Sequence, residues 1–228
     1  MDVILIPGLW LDASSWDDVV PRLKEAGHTT HPLTLPGADD QDPAAVHLSD
    51  WVAAVTAAID ELAGPVALVG HSGGGNVAWG AADARVDRVS RVVFVDTLPP
   101  PPGAMISEFP VVDGTVPFPG WGFFDEPDVA DLDGPTRERW EARTHAVPAA
   151  VPTDRLDLTD HRRRGIPVTV LSGSTDRDGL LARLAEWPPF LDEFTAIQDV
   201  TVVELGTGHW PQFSRPSLLA DELVAALA

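Results

Sequence analysis

The 228-residue sequence contains no cysteine, which removes disulfides, thiolate metal sites and a cysteine nucleophile together. Lysine is nearly absent as well. Lys24 stands alone among 15 basic residues, against 35 acidic ones, for a formal net charge of −20. A field of that sign repels phosphate backbones and anionic lipid, so neither nucleic acid nor a membrane surface is an expected partner. Long hydrophobic runs are missing too. Val3-Ile4-Leu5-Ile6 is stopped by Pro7-Gly8 and has no basic stretch before it. A spanning helix needs roughly twenty apolar residues, and a signal peptide a longer apolar core than this. The expected location is the cytoplasm.

Metal ligands are also scarce. His28-Thr29-Thr30-His31 straddles a turn into a strand with no third ligand placed, and Asp39-Asp40-Gln41-Asp42 lacks the spaced oxygens and glycine of a calcium loop. The expectation is no metal. The strongest basic cluster, Arg162-Arg163-Arg164, reads as a solvated turn or an intramolecular partner for acids rather than a ligand site.

What is present is a chain with 44% hydrophobic residues, ample for one α/β domain over residues 1–228. Apolar β-like runs (Val3–Ile6, His31–Leu35, Val66–Val69, Val92–Val95, Val168–Leu171 and Val200–Leu205) alternate with helical patterns. The helices are expected from Ser14 or Ser15 to Gly27, from Ser49 to Gly64-Pro65, over Gly73–Ala84 and over Ser217–Leu227. Strands apolar on both faces belong in a parallel sheet covered on both sides. The fold class is therefore α/β, a doubly wound, mostly parallel sheet. From about residue 97 to 165 the alternation fails. That stretch is rich in proline, glycine and aromatics, with one clear helix from Pro135 to Val147, and reads as a lid insertion.

Gly70-His71-Ser72-Gly73-Gly74 matches G-x-S-x-G. The string alone is weak evidence, but its setting is not: a strand enters it and a helix leaves it. Such a turn lifts the Ser72 hydroxyl to the C-terminal edge of the sheet and places it at a helix N-terminus, where negative charge is favoured. Serine needs a base, and in this motif's chain order the histidine comes last. Among seven histidines, His209 in Gly206-Thr207-Gly208-His209-Trp210 is the one that follows the last strand. The acid is a choice among Asp176, Asp178 and Asp96, with Asp176 preferred for its loop after Val168–Leu171. Oxyanion donors are expected from the backbone N–H groups of Gly73 and Leu9.

These features together resemble the α/β-hydrolase superfamily over nearly the full length. The resemblance rests on Ile4-Leu5-Ile6-Pro7-Gly8 with Trp16, on Gly70 to Gly74, on Gly173-Ser174-Thr175-Asp176 and on Gly208-His209. Val93-Phe94-Val95-Asp96-Thr97-Leu98-Pro99 is similar to the strand-to-lid junction of its compact branch of esterases and hydroxynitrile lyases. The usual His-Gly after the first strand is Pro7-Gly8 here, and the start is short, as though the early antiparallel strands of larger members were missing. The resemblance implies a cofactor-free hydrolase of a carboxylic ester, thioester or lactone, working through acyl-Ser72 on a small, apolar, ester-like substrate. Trp10, Trp121, Phe124 and Trp210 would line the substrate pocket, with ordinary packing the competing role for each. The same scaffold also implies two alternatives: a hydroxynitrile lyase-like or oxygenase-like enzyme using His209 as base, and a low-turnover ligand receptor.

Overall fold

A strand that is apolar on both faces must be covered on both, and the fold follows from that requirement. The computed structural model describes residues 1–37 and 45–228, so the acidic loop expected at Asp39–Asp42 lies outside the described residues. The first half runs β1 (Asp2–Ile6), α1 (Val20–Glu25), β2 (Thr29–Pro32), α2 (Leu48–Glu61), β3 (Val66–His71), α3 (Gly73–Ala84) and β4 (Val89–Val95). An insertion follows, with β5 (Thr115–Val116), α4 (Glu126–Val129), α5 (Gly134–Glu141), β6 (Val147–Pro148) and α6 (Ala150–Thr153). The chain returns through β7 (Val168–Ser172), α7 (Arg177–Leu184), α8 (Pro188–Ala196), β8 (Val200–Glu204), α9 (Pro211–Ser214) and α10 (Pro216–Ala226).

The main sheet has the order β2-β1-β3-β4-β7-β8, and each neighbouring pair is parallel. β5 and β6 form a separate antiparallel pair inside the insertion. Alternate residues of each strand go to opposite layers. Ile4, Ile6, Leu68, Val92, Phe94 and Val170 pack with Trp51, Val55 and Ile59 of α2 and with Trp79 of α3. Val3, Leu5, Val69, Val93, Val95 and Leu171 pack on the other face with Trp16, Leu23 of α1 and Leu219 and Leu223 of α10. Each such buried side chain contributes about 1.5–3 kcal/mol.

Several boundaries differ from the sequence reading for identifiable reasons. The expected first helix is broken in two. Asp12, not Ser14 or Ser15, caps a short 3-10 turn at Ala13–Trp16 by accepting from the Ser14 N–H at 2.8 Å. Pro21 then has no N–H and favours only a first helical turn, so α1 starts afresh beside it. α2 is capped by His47 rather than Ser49, in a reciprocal box where Asp50 accepts from the His47 N–H at 2.8 Å. α7 and α8, unanticipated, fill the β7–β8 crossover. α5 stops at Glu141, short of the expected Val147, and the chain turns to form β6.

The arginine run is an ion-pair device. Arg163 is fully buried and donates to Asp83 at 3.0 Å and Glu193 at 2.7 Å, while Arg164 takes the other Glu193 oxygen at 2.6 Å. Burial alone would raise the Glu193 carboxyl, but hydrogen bonds from Arg164, the charge and hydrogen bonds of Arg163, and the Trp79 indole outweigh it and hold the group below its ordinary range.

Candidate active site

β3 ends at His71 and α3 begins at Gly73, which leaves Ser72 to make the whole turn, at φ +51° and ψ −126°. The positions two residues to either side, Gly70 and Gly74, must be glycine. A Cβ on Gly70 would come 2.5 Å from the Gly74 carbonyl oxygen, and one on Gly74 would strike the Pro7 carbonyl. Three of the four non-glycine residues with positive φ among the described residues are Trp10, Ser72 and Asp96. These follow β1, β3 and β4, all at the C-terminal edge of the sheet. Backbone strain of order 1–3 kcal/mol per residue is thus concentrated where three strands deliver side chains to one place.

Two of those side chains, Ser72 and Asp96, converge on His209. The His209 Nε2 lies 3.0 Å from Ser72 Oγ, and its Nδ1 lies 2.6 Å from Asp96 Oδ2. The other Asp96 oxygen accepts from the Gly173 N–H at 2.7 Å. Burial would raise the Asp96 carboxyl, but the hydrogen bond and charge of His209, with the Gly173 N–H, prevail and keep it below the usual carboxylate range. An ionised Asp96 thus faces the imidazole.

Of the three candidate carboxylates the structure brings Asp96 to His209, and not the preferred Asp176. That residue caps α7, accepting from the Gly179 N–H at 2.9 Å, and Asp178 sits in the first turn of the same helix. The loop after β7 passes straight into α7, so its carboxylates serve the helix. What the loop gives the site is the Gly173 N–H. Asp96 reaches His209 because it turns off β4, the strand between β3 and β7.

A cavity of about 190 Å³ opens beside Ser72. Of the expected pocket residues, Trp10, Phe124 and Trp210 line it, and Trp121 does not. Trp121 packs edge-on against Trp210 at 5.1 Å and donates its indole N–H to the Arg137 carbonyl at 2.9 Å. Leu9 and Gly73 line the cavity beside Ser72. Gly73 is the first residue of α3, and such N–H groups have no intrahelical acceptor. The insertion adds Ile106, Ser107 and Phe109 to the wall, and Asn76 and Thr97 add polar atoms. None of these lining residues is an aspartate, glutamate, lysine or arginine.

Sequence reasoning set aside His71, which is buried behind the turn. Desolvation, helped by the charge of His209, lowers its pKa to about 3, so the ring is neutral. It donates from Nε2 to the His209 carbonyl at 2.8 Å and accepts at Nδ1 from Gln212 at 3.2 Å. A Cβ on Gly8 would come 2.7 Å from His71 Nδ1, so this ring fills the space behind Pro7-Gly8. Its place beside Ser72 was the only sequence signal, and Gln212 had none. Among the described residues no group of three or more metal-ligating side chains occurs, and no helix is long and apolar enough to cross a membrane.

Comparison with known proteins agrees with this architecture. Among solved structures, an extracellular alpha/beta-hydrolase from a Paenibacillus species, described as sharing structural and functional homology with tobacco salicylic acid binding protein 2, superposes with a TM-score of 0.80 at 22% identity. That match covers 99% of this chain and 98% of the other. A methylesterase from Arabidopsis gives 0.78 at 17% identity over 100% and 98% of the two chains. A pyrethroid hydrolase from Sphingobium faniae gives 0.71 at 22% over 100% and 98%. At these identities the likeness is one of fold. No curated protein matches the sequence. The model of the alpha/beta hydrolase family, however, matches residues 3–222. Nearly the whole chain is thus accounted for, and the protein belongs to the alpha/beta hydrolase family.

Proposed function

We propose that the protein is a serine hydrolase that cleaves a carboxylic ester, thioester or lactone through an acyl-Ser72 intermediate. The observation that carries this reading is the continuous hydrogen-bonded line from Ser72 Oγ through His209 to Asp96, at 3.0 and 2.6 Å. His209 Nε2 takes the Ser72 proton as Oγ attacks the acyl carbon, while ionised Asp96 holds Nδ1–H and stabilises the imidazolium. The oxygen that gains charge is met by the N–H groups of Leu9 and Gly73. Collapse of the adduct transfers the proton from His209 to the leaving group. Water, deprotonated in turn by His209, then attacks the acyl carbon, and His209 returns that proton to Ser72 Oγ as the acyl–Oγ bond breaks and the acid leaves.

The cavity favours a neutral, apolar, ester-like molecule. Its wall sets Trp10, Phe109, Phe124, Trp210, Leu9 and Ile106 beside the polar groups of Asn76, Thr97 and Ser107, and it holds no aspartate, glutamate, lysine or arginine to pair with an ammonium or carboxylate group. In this reading the insertion is the lid, since Ile106, Phe109 and Phe124 all belong to it. The hydrolase and esterase names of the similar structures support the same direction.

The test is a fluorophosphonate probe together with a series of short-chain nitrophenyl esters. Labelling at Ser72, its loss in Ser72→Ala, and ester turnover are expected. Folded wild-type protein that neither labels nor turns over any ester overturns the proposal in favour of non-hydrolytic chemistry or ligand binding on the same scaffold.

A further inference from the structure

The base of the site sits on a loop, and a loop does not hold a side chain to sub-ångström tolerance by itself. The peptide around His209 is fixed by two bodies. From below, the His71 ring donates to the His209 carbonyl at 2.8 Å. From above, the insertion takes both preceding N–H groups: the His209 N–H donates to the Asp128 carbonyl at 2.8 Å, and the Gly208 N–H donates to Asp131 Oδ2 at 2.8 Å. The contact is close. A Cβ on Gly208 would strike the Asp128 carbonyl oxygen and lie 2.5 Å from Asp131 Oδ1. Trp121 and Phe124 press on Trp210, the next residue, at 5.1 and 4.7 Å.

Asp131 is the one side chain in this clamp that hydrogen-bonds the loop from the insertion. Its Oδ1 is buried without a protein partner among the described residues, so the carboxylate is only half used in its own interest. An acceptor buried in this way costs stability, which points to the contact made by the other oxygen.

We propose that Asp131 is a positioning residue for His209. By accepting from the Gly208 N–H, it makes the insertion the splint that sets the imidazole between Ser72 and Asp96, beyond any role as a cover. The inference rests on the serine-hydrolase reading of the site. It predicts that loss of the acceptor acts on the chemical step, because a displacement of the base by about 1 Å costs on the order of a hundredfold in rate.

The experiment compares Asp131→Ala with Asp131→Asn, which keeps an acceptor oxygen. For Asp131→Ala, kcat on a nitrophenyl ester and the rate of fluorophosphonate labelling are expected to fall together by roughly ten- to a hundredfold, with KM within about twofold of wild type. Asp131→Asn should restore most of both rates. A purely structural residue would lower melting temperature and leave kcat of the folded protein alone. Wild-type kcat and labelling in folded Asp131→Ala, or an equal loss in Asp131→Asn, overturns the proposal. If the alanine variant does not fold, Gly208→Ala carries the test: its methyl forces the loop off the clamp, and a wild-type kcat there is equally fatal. Should wild-type protein itself neither label nor hydrolyse, the hydrolase reading fails separately. The clamp is then read from exchange of the Gly208 and His209 amides, which Asp131→Ala should accelerate by about tenfold or more and Asp131→Asn should not. Unchanged exchange in Asp131→Ala overturns it.

Discussion

Two clusters of ionisable side chains cross this fold, and they are built on opposite terms. In the Arg163 cluster every charge is matched: Asp83 and Glu193 pair with a fully buried Arg163, and Glu193 pairs also with a partly exposed Arg164. In the Ser72 cluster, His209 and Asp96 keep about a quarter of their side-chain surface, 23% each, and face an open cavity. Backbone strain divides the same way. Ser72 and Asp96 carry positive φ, as does nearby Trp10, whereas Asp83, Arg163 and Glu193 do not. A buried ion pair that is fully matched and relaxed is a structural part. One that faces an open cavity, on strained backbone, is arranged for something that arrives later.

The largest effects should fall on chemistry at one cluster and on stability at the other. Ser72→Ala is expected to lower ester turnover by about 10⁴-fold or more with little change in melting temperature, measured by initial rates and calorimetry on the same sample. Asp96→Asn should cost about 10⁴-fold in kcat, because an amide fixes the wrong imidazole tautomer and removes the charge that steadies the imidazolium. Activity within tenfold of wild type in Asp96→Asn would break the division between the clusters. The mirror experiment is Arg163→Met. It leaves Asp83 buried without its cation and Glu193 with Arg164 alone, and should lower unfolding free energy by about 3–5 kcal/mol in denaturant titration, with kcat of the folded fraction unchanged.

Acid should also separate the two. His71 is held at about 3 when folded, against an ordinary value near 6.5 when unfolded. Between those values the unfolded chain binds the extra proton, so stability is complete above about pH 6.5 and is lost on the way down, at up to about 1.4 kcal/mol per pH unit. Glu193 is depressed from its ordinary 4.5, so its contribution is present above that value and fades only at lower pH. His71→Gln should therefore flatten the stability profile between about pH 6.5 and 4.5 and leave the steeper loss below it. An unchanged slope in His71→Gln places the titrating group elsewhere.

The sheet was legible because its strands announce themselves. Val66–Val69, Val92–Val95 and Val168–Leu171 are apolar on both faces and bounded by turn residues, and each lies within an observed strand. The approach of Ser72 and His209 was legible for the same reason, since each is tied to a strand end. Their carboxylate neighbour was not, because Asp96 and Asp176 both follow strands and differ only in what their backbone does next. One turns sharply at φ +45°, and the other starts a helix. The packing partners were hidden for a deeper reason. Trp121, Asp131 and His71 meet the His209 loop, and Gln212 meets His71, through contacts between distant parts of the chain, and no periodicity encodes them.

The smallest effect is the one that tests this distinction between aspartates. Asp176 looks like a site residue in the sequence, yet its carboxylate spends itself on the Gly179 N–H at 2.9 Å. Asp176→Ala removes an N-cap and should cost about 1 kcal/mol of stability, read as a small shift in the denaturant midpoint at constant slope. Turnover should stay within about twofold of wild type, since no transition-state contact is lost. The opposite pattern, a crippled enzyme of unchanged stability, would mean that the loop after β7 rearranges during turnover and that Asp176 replaces Asp96 at His209. Pairing Asp176→Ala with Asp96→Asn closes that route: if both carboxylates serve His209 in one turnover, the double variant must lose far less than the sum of the single losses, whereas a simple N-cap adds nothing to the loss in Asp96→Asn.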